Sequence, residues 1–437
     1  MIKSILMKRL SIVSAVIATG AMVLSTLPAQ AAQTTGVTAK EIHLGISSPT
    51  SGSAGLVYGK VPGAMKAYFD YINANGGVNG RKIKLTHCND KYTVKGAATC
   101  TFDLVYKDNV FALVGALGTA THQSGYKAAS IAVENVPDLF VNSGWSGFND
   151  KVAYPTTFMV LPTYAMEAKV MAKVIKDNFP GQATFLVAQN DEFGDDARAG
   201  FGAASHKFNR EFFYPQGGMD IATAKTILGA ISAVPGKPVV VLFGTGDATV
   251  AMLKAAEELS LTKKFTWLAG SVGADANTLL ALKVKPETID GVLSASFMPD
   301  AKDLNDPYVK QFSAIYSKYN KGGVFDNYVL AGMNSAMLTV QALRAAGKNL
   351  TRNGLMKAIE SKGAKFASAG LVPLGYSATS RIGYNGYWVS QINAKGEGKP
   401  FGGKLVIYTT DSGAGAVTEN KTFVRPTMPK NGIPTNK

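Results

Sequence analysis

Phe111–Ser124 reads FALVGALGTATHQS: an apolar run, a glycine-rich turn, then hydroxyls opening a helical stretch. A strand that turns tightly into a helix is half of a strand–helix–strand unit, so a parallel sheet covered by helices is expected. The chain on either side repeats that alternation. Glu41–Ser48 (EIHLGISS) and Lys82–Asn89 read as strands, with Met65, Phe69 and Ile72 at helical spacing between them. Asn75–Gly80 (NGGVNG) supplies the turn, as residues that tolerate positive φ do. Further strands are expected at Pro137–Ser143, Thr184–Gln189, Val239–Phe243, Phe265–Ala269 and Val292–Phe297. Pro162–Phe179 reads as a helix with Met171, Val174 and Ile175 on one face.

The fold class is therefore α/β with parallel sheets, and a chain of 437 residues is expected to divide into lobes. No low-complexity linker separates them, so the connections between lobes must be short. The candidates are Phe158–Thr163, Asp290–Ser296 and a third near Leu374–Trp388. This assigns 32–160 plus 293–376 to lobe 1 and 161–292 plus 377–437 to lobe 2. The tail after Asp411, rich in Gly, Thr, Asn, Pro and Lys, reads as a loose surface strap.

Composition narrows the function classes. With 46% apolar residues, 46 Gly and 18 Pro, the chain is globular, not collagen-like or largely disordered. The net charge of +15 comes from 45 basic against 30 acidic residues, yet only 17% of residues are charged. Scarce acids make the surplus, so no nucleic-acid partner is expected. Lys3, Lys8 and Arg9 precede an apolar stretch from Leu10 to Leu27, followed by Pro28-Ala29-Gln30-Ala31-Ala32. That is the pattern of a secretory signal peptide, residues 1–31, cleaved after Ala31; a retained membrane anchor is the alternative. Export to a periplasm would lower the charge to +12 and place Cys88 and Cys100 where they can pair, the alternative being two buried thiols.

Catalytic motifs are missing. His43, His87, His122 and His206 form no metal-ligand pair, and Gly244-Thr245-Gly246-Asp247 lacks the third glycine of a dinucleotide loop. Gly144-Trp145-Ser146-Gly147-Phe148 is not a hydrolase elbow. No catalytic residue, metal or cofactor is expected, although an exported enzyme using the same cleft stays as an alternative. What stands out is three polar loops at strand ends: Ser47–Gly55 followed by Tyr58, Gly115–Thr121, and Asn142–Ser146. Hydroxyls and free backbone N–H groups at a helix start suit a carboxylate, whereas capping of the helix is the plainer use of the same residues.

On these loops, and on Ala74–Leu85 (ANGGVNGRKIKL), Phe193–Ala199 (FGDDARA) and Phe243–Leu253 (FGTGDATVAML), the chain resembles the leucine/isoleucine/valine-binding family of periplasmic solute receptors for ABC importers. The resemblance implies two Rossmann-like α/β lobes of type I connectivity, joined by three hinge crossovers and closing on a small-molecule ligand. It implies a membrane permease as partner and a monomer. Thr119, Ala120 and Thr121 match one carboxylate-holding loop, Ser143 and Trp145 the other, and Phe193 an aromatic cover from lobe 2. Tyr58 and Tyr328 are expected to add faces for an apolar body. The family's amino-acid binders pair the ligand ammonium with an acid on lobe 2, where this chain has Leu268–Gly273 (LAGSVG), including Ser271, and no acid; Asp247 and Asp275 are nearby alternatives. A closed cleft without that anion disfavours an ammonium, leaving aromatic or aliphatic acids beside hydrophobic amino acids. A sensory receptor is the remaining alternative.

Overall fold

Val239–Phe243 (VVVLF) is buried at every position, which a strand can be only inside a sheet covered on both faces. A computed structural model of the protein describes residues 34–435 apart from Ser53. The signal segment and its cleavage after Ala31 lie outside the described residues.

Two sheets carry the two lobes. The first joins β1 (Glu41–Ser47), β2 (Lys82–Cys88), β3 (Ala112–Val114), β4 (Asp138–Val141) and β5 (Thr157–Met159) in the order β2-β1-β3-β4-β5, all parallel. The second contains β6 (Thr184–Gln189), β7 (Arg210–Tyr214), β8 (Val239–Phe243), β9 (Thr266–Ala269), β10 (Leu293–Ser296) and β11 (Gly386–Ile392), ordered β11-β10-β9-β8-β6-β7. Its first five strands are parallel, and β11 runs antiparallel to β10. Short strands β12 (Gly398–Pro400), β13 (Tyr408–Thr409) and β14 (Thr418–Glu419) extend the β11 edge. The α/β class and the two-lobed type I fold are thus as expected.

Strand pairing moves the expected boundaries. Leu293–Ser296 hydrogen-bonds to β9 and β11, so it belongs to the second sheet and the chain crosses only after it. The following helices, Pro307–Tyr319 and Asn327–Ala345, pack on the first lobe, where the rings of Tyr68 and Phe312 meet edge-on with centroids 5.8 Å apart. The crossings lie side by side and are tied by backbone bonds. Met159 N–H donates to the Arg381 carbonyl at 2.9 Å, and Leu371 N–H to that of Phe297 at 2.8 Å. β5, β7 and β11 were not expected as strands: β5 and β11 abut crossings, and β7 is a partly exposed sheet edge with a weak apolar run.

The tail does not stay with the second lobe. Beyond β14 it returns to the first, where Tyr68 Oη donates to the Gly432 carbonyl at 2.7 Å and Tyr308 Oη to that of Pro426 at 2.7 Å. Arg425 pairs with the nearly buried Asp306 at 2.6 Å and lies over the Tyr308 ring. These bonds make the strap a fourth link between lobes. Arg425→Ala is expected to cost about 1–2 kcal/mol, because Asp306 would lose its cation and keep only the Tyr308 and Val309 N–H groups; an unchanged urea midpoint would show the strap to be loose.

Candidate functional site

In an open parallel sheet the crevice opens at the carboxyl ends of strands where their order reverses. Here that is between β1 and β3 in the first sheet and between β6 and β8 in the second. The four loops after these strands face one another across the cleft. Residues from both sides line one narrow compartment: Tyr92, Thr119 and Asn142 from lobe 1, Phe193 and Thr245 from lobe 2, with Tyr164 at the first crossing.

Thr119 opens the Thr119–Ala128 helix, and its Oγ1 lies 2.8 Å from Ser143 Oγ. Gly118 before it has φ +94°, and a Cβ there would fall 2.4 Å from Thr121 Oγ1 and 2.8 Å from the Tyr92 ring. Only glycine lets the loop pass this close, and the helix begins with Thr119 at the compartment wall, where its first N–H groups have no partner within the helix. Tyr92 is braced in turn. Its N–H donates to Asp90 Oδ1, while Ser47 Oγ donates to Asp90 Oδ2, each at 2.9 Å. Tyr92 itself adopts φ +57°, a strained setting for an aromatic residue that the Asp90 bonds hold in place.

A second, inner chamber adjoins the first, with Tyr58, Asn142 and Val272 lining both. Tyr58 and Tyr328, whose rings meet edge-on at 4.8 Å, donate their hydroxyls to the Val272 carbonyl at 3.3 and 2.8 Å. Burial pushes both phenols well above their ordinary range, so they stay protonated donors. These bonds hold lobe 1 to lobe 2. Two more do the same: Asn327 Nδ2 donates to Asp275 Oδ1 at 2.8 Å, and the Ser146 N–H and hydroxyl donate to Asp196. The chamber continues to Ser294, Ser296, Met298, Asp300, Trp388 and Ser390.

Other expected residues are placed differently. Thr121 donates its hydroxyl to the Leu117 carbonyl at 2.5 Å and serves the turn. Ala120 lines a separate surface groove with Tyr154 and Glu192. Trp145 packs against Phe148 and Tyr154, with centroids 4.9 and 5.9 Å apart, and lines neither compartment. Ser143 supports Thr119, and its Oγ accepts the Trp145 N–H at 3.2 Å. Asp247 sits in the first turn of the Gly246–Glu258 helix, its carboxyl pushed up chiefly by burial, and lines neither space. Ser271 and Tyr328 line the inner chamber, as does Asp275. Cys88 and Cys100 form a disulfide with Cα atoms 5.5 Å apart.

The stretch Leu268–Gly273 does meet an acid, brought from elsewhere. Glu167, on the Tyr164–Asn178 helix, is fully buried; Oε1 accepts the Ser271 N–H at 2.5 Å, and Oε2 the Ser271 hydroxyl at 3.1 Å and that of Tyr387 at 3.3 Å. Burial raises its carboxyl to about 7, against these opposing hydrogen bonds. It lines neither compartment and anchors the first crossing to β11 and to the loop after β9. In sequence it is one of several charged residues on an amphipathic helix and looks no different from exposed ones, as does Lys169, whose buried ammonium reaches Asp411 at 2.8 Å. Tyr92 and Tyr164 were not expected, since nothing local marks them, and Thr245 stood out only as part of an incomplete dinucleotide loop and of the FGTGDATVAML stretch. Among the described residues no group of three or more His, Cys, Asp or Glu is placed to hold a metal ion, and no helix is long and apolar enough to cross a membrane.

Solved structures share this architecture. A branched-chain amino acid ABC transporter protein from Thermus thermophilus with bound valine has a TM-score of 0.74 at 18% identity, covering 85% of this chain and 97% of its own. A solute-binding protein from Rhodopseudomonas palustris BisB5, in complex with 3,4-dihydroxybenzoic acid, has a TM-score of 0.69 at 18% identity, with 85% and 98% covered. A fatty acid ABC transporter substrate-binding protein from Thermomonospora curvata has 0.70 at 20%, with 89% and 95% covered. At these identities the likeness speaks for the fold. No curated protein sequence matches the chain significantly. The family profile described as periplasmic binding protein matches residues 41–397, from β1 to the turn before β12. With strands β1 to β11 inside that match, the chain belongs to the periplasmic binding protein family.

Proposed function

We propose that the protein is an exported solute-binding receptor. It captures a small carboxylate-bearing compound, an aromatic or aliphatic acid or a hydrophobic amino acid, and delivers it without chemical change to the permease of an ABC importer. The observation that carries this reading is Thr119, at the start of a ten-residue helix and 2.8 Å from Ser143, facing Phe193 and Tyr164 across the interlobe compartment. Helix N–H groups and a hydroxyl stabilise an anion there, and aromatic rings cover its body. Relatives of the same fold bound to valine and to 3,4-dihydroxybenzoic acid support a carboxylate as the shared element. Lobe closure about the crossings would be the working motion.

Thermal-shift screening of carboxylic acids and amino acids tests the reading, because a ligand bound only by the folded state raises Tm. For any hit, Thr119→Ala is expected to weaken binding about 5–30-fold, roughly 1–2 kcal/mol for a hydroxyl bonded to a charged group. Thr121→Ala should leave affinity nearly unchanged, since its hydroxyl serves Leu117. Equal losses in both variants would remove the carboxylate from Thr119. Consumption of the bound compound by the pure protein would replace transport with catalysis.

A further inference from the structure

Resting on the carboxylate reading above, we infer that the inner chamber selects the far end of the ligand: it takes an uncharged or ammonium-bearing end that donates hydrogen bonds and rejects a second anion, with Asp275 and Asp300 setting that preference. The chamber's lining contains these two carboxylates and no Lys, Arg or His. Neither carboxylate has a cation as hydrogen-bond partner. Asp275 accepts the N–H and hydroxyl of Thr278 and the amide of Asn327, at 2.6–2.9 Å. Asp300 accepts the backbone N–H groups of Lys302 and Gly398. The ammonium of Lys60 is already paired with Asp326, so that pair adds no net positive charge.

The neutral groups point the same way. Ser296 donates its hydroxyl to the Met298 carbonyl and Ser294 to that of Ala295, each at 3.0 Å. Trp388 Nε1 donates to the Met298 carbonyl at 3.0 Å. The Tyr58 and Tyr328 hydroxyls are committed to Val272. With these protons directed at the protein, what the serines and aspartates offer a ligand is acceptor lone pairs. A donor group finds partners there, with the Tyr328 and Trp388 rings as apolar walls. An anion meets two carboxylates there, with only the Asn142 amide and the Ser390 hydroxyl as donors not directed at the protein, too few to replace its water beside that negative charge. That is discrimination by repulsion, the complement of the attraction at Thr119.

A carbon-matched series tests this at pH 7.5 by calorimetry and Tm: hexanoate, 6-aminohexanoate and adipate, with 4-(aminomethyl)benzoate against terephthalate as the aromatic pair. The expected result is that the monocarboxylates bind at least about tenfold tighter than the matching dicarboxylates, and that Asp275→Asn and Asp300→Asn each narrow that ratio severalfold. A dicarboxylate bound as tightly as its monocarboxylate overturns the inference while leaving the receptor for carboxylates intact. So does a ratio that neither variant changes. If none of the five compounds and no hydrophobic amino acid in the thermal-shift screen binds, the carboxylate reading falls and the inference falls with it. The wild-type ranking needs no variant, so a poorly folding Asp275→Asn protein would not obscure the outcome.

Discussion

Replacing Glu167 by glutamine is expected to flatten a pH dependence of about 3 kcal/mol in the stability of the protein. The carboxyl titrates near its ordinary value of 4.5 when unfolded and at about 7 when folded, because burial disfavours its charged form. The folded state therefore holds the proton more tightly. Its contribution is fully present below pH 4.5, declines as pH rises toward 7, and is gone above. Glutamine keeps an acceptor for the Ser271 N–H and has no charge to desolvate, so the variant should be the more stable protein at pH 8. Asp275, raised to about 6 by burial and by the neighbouring Asp326, adds a slope of the same sign, which the difference between the two proteins cancels. Urea midpoints from pH 4.5 to 8 read the effect, and parallel curves for the two proteins would sink it. Because Glu167 joins the first crossing to Tyr387 and Ser271, the same titration acts on the contacts that tie that crossing to the second lobe.

Changing both Cys88 and Cys100 to serine is expected to cost about 3 kcal/mol, the chain-entropy value for a short closed loop. The bridge spans a sequence separation of 12 and ties the end of β2 to the Val94–Tyr106 helix. Its neighbourhood is the cleft wall: the Cys88 carbonyl accepts the Ser48 N–H at 3.2 Å, and Asp90 and Tyr92 follow within four residues. The double variant should therefore also weaken whatever the compartment binds, and a reducing agent should reproduce both effects in the wild-type protein. A loss below about 1 kcal/mol would mean the loop is held by the helix packing alone.

Much of the fold was legible because its signals are local. Continuous apolar runs such as VVVLF mark central parallel strands, and glycine-hydroxyl turns such as GALGTAT mark their exits into helices. Thr119 was singled out on the same signal, and it lines the interlobe compartment. Thr121, two residues on, carries the same hydroxyl at a similar place, and only the path of the loop turns it back on Leu117. Trp145 looked like a ligand face because it follows Ser143, but Phe148 and Tyr154 give it a packed site within the lobe. The edge strand β7 gave a weak pattern because most of its positions are partly or fully exposed, whereas β11 is buried at all but Gln391 and is hard to read because Gly386, Ser390 and Gln391 interrupt its apolar residues.

The sequence by itself determined the strand–helix alternation, the carboxyl-end loops and the scarcity of acids, all properties of composition and short-range spacing. Tertiary structure decided which residues meet. Glu167 reaches Ser271 from more than a hundred positions away, Tyr58 and Tyr328 converge on Val272, and the tail crosses back to Tyr68 and Tyr308. Such pairings arise when sheets close and helices pack, and no local pattern encodes them. An acid absent from one loop in the sequence was supplied in space by another helix, and its burial rather than its position gives it its role.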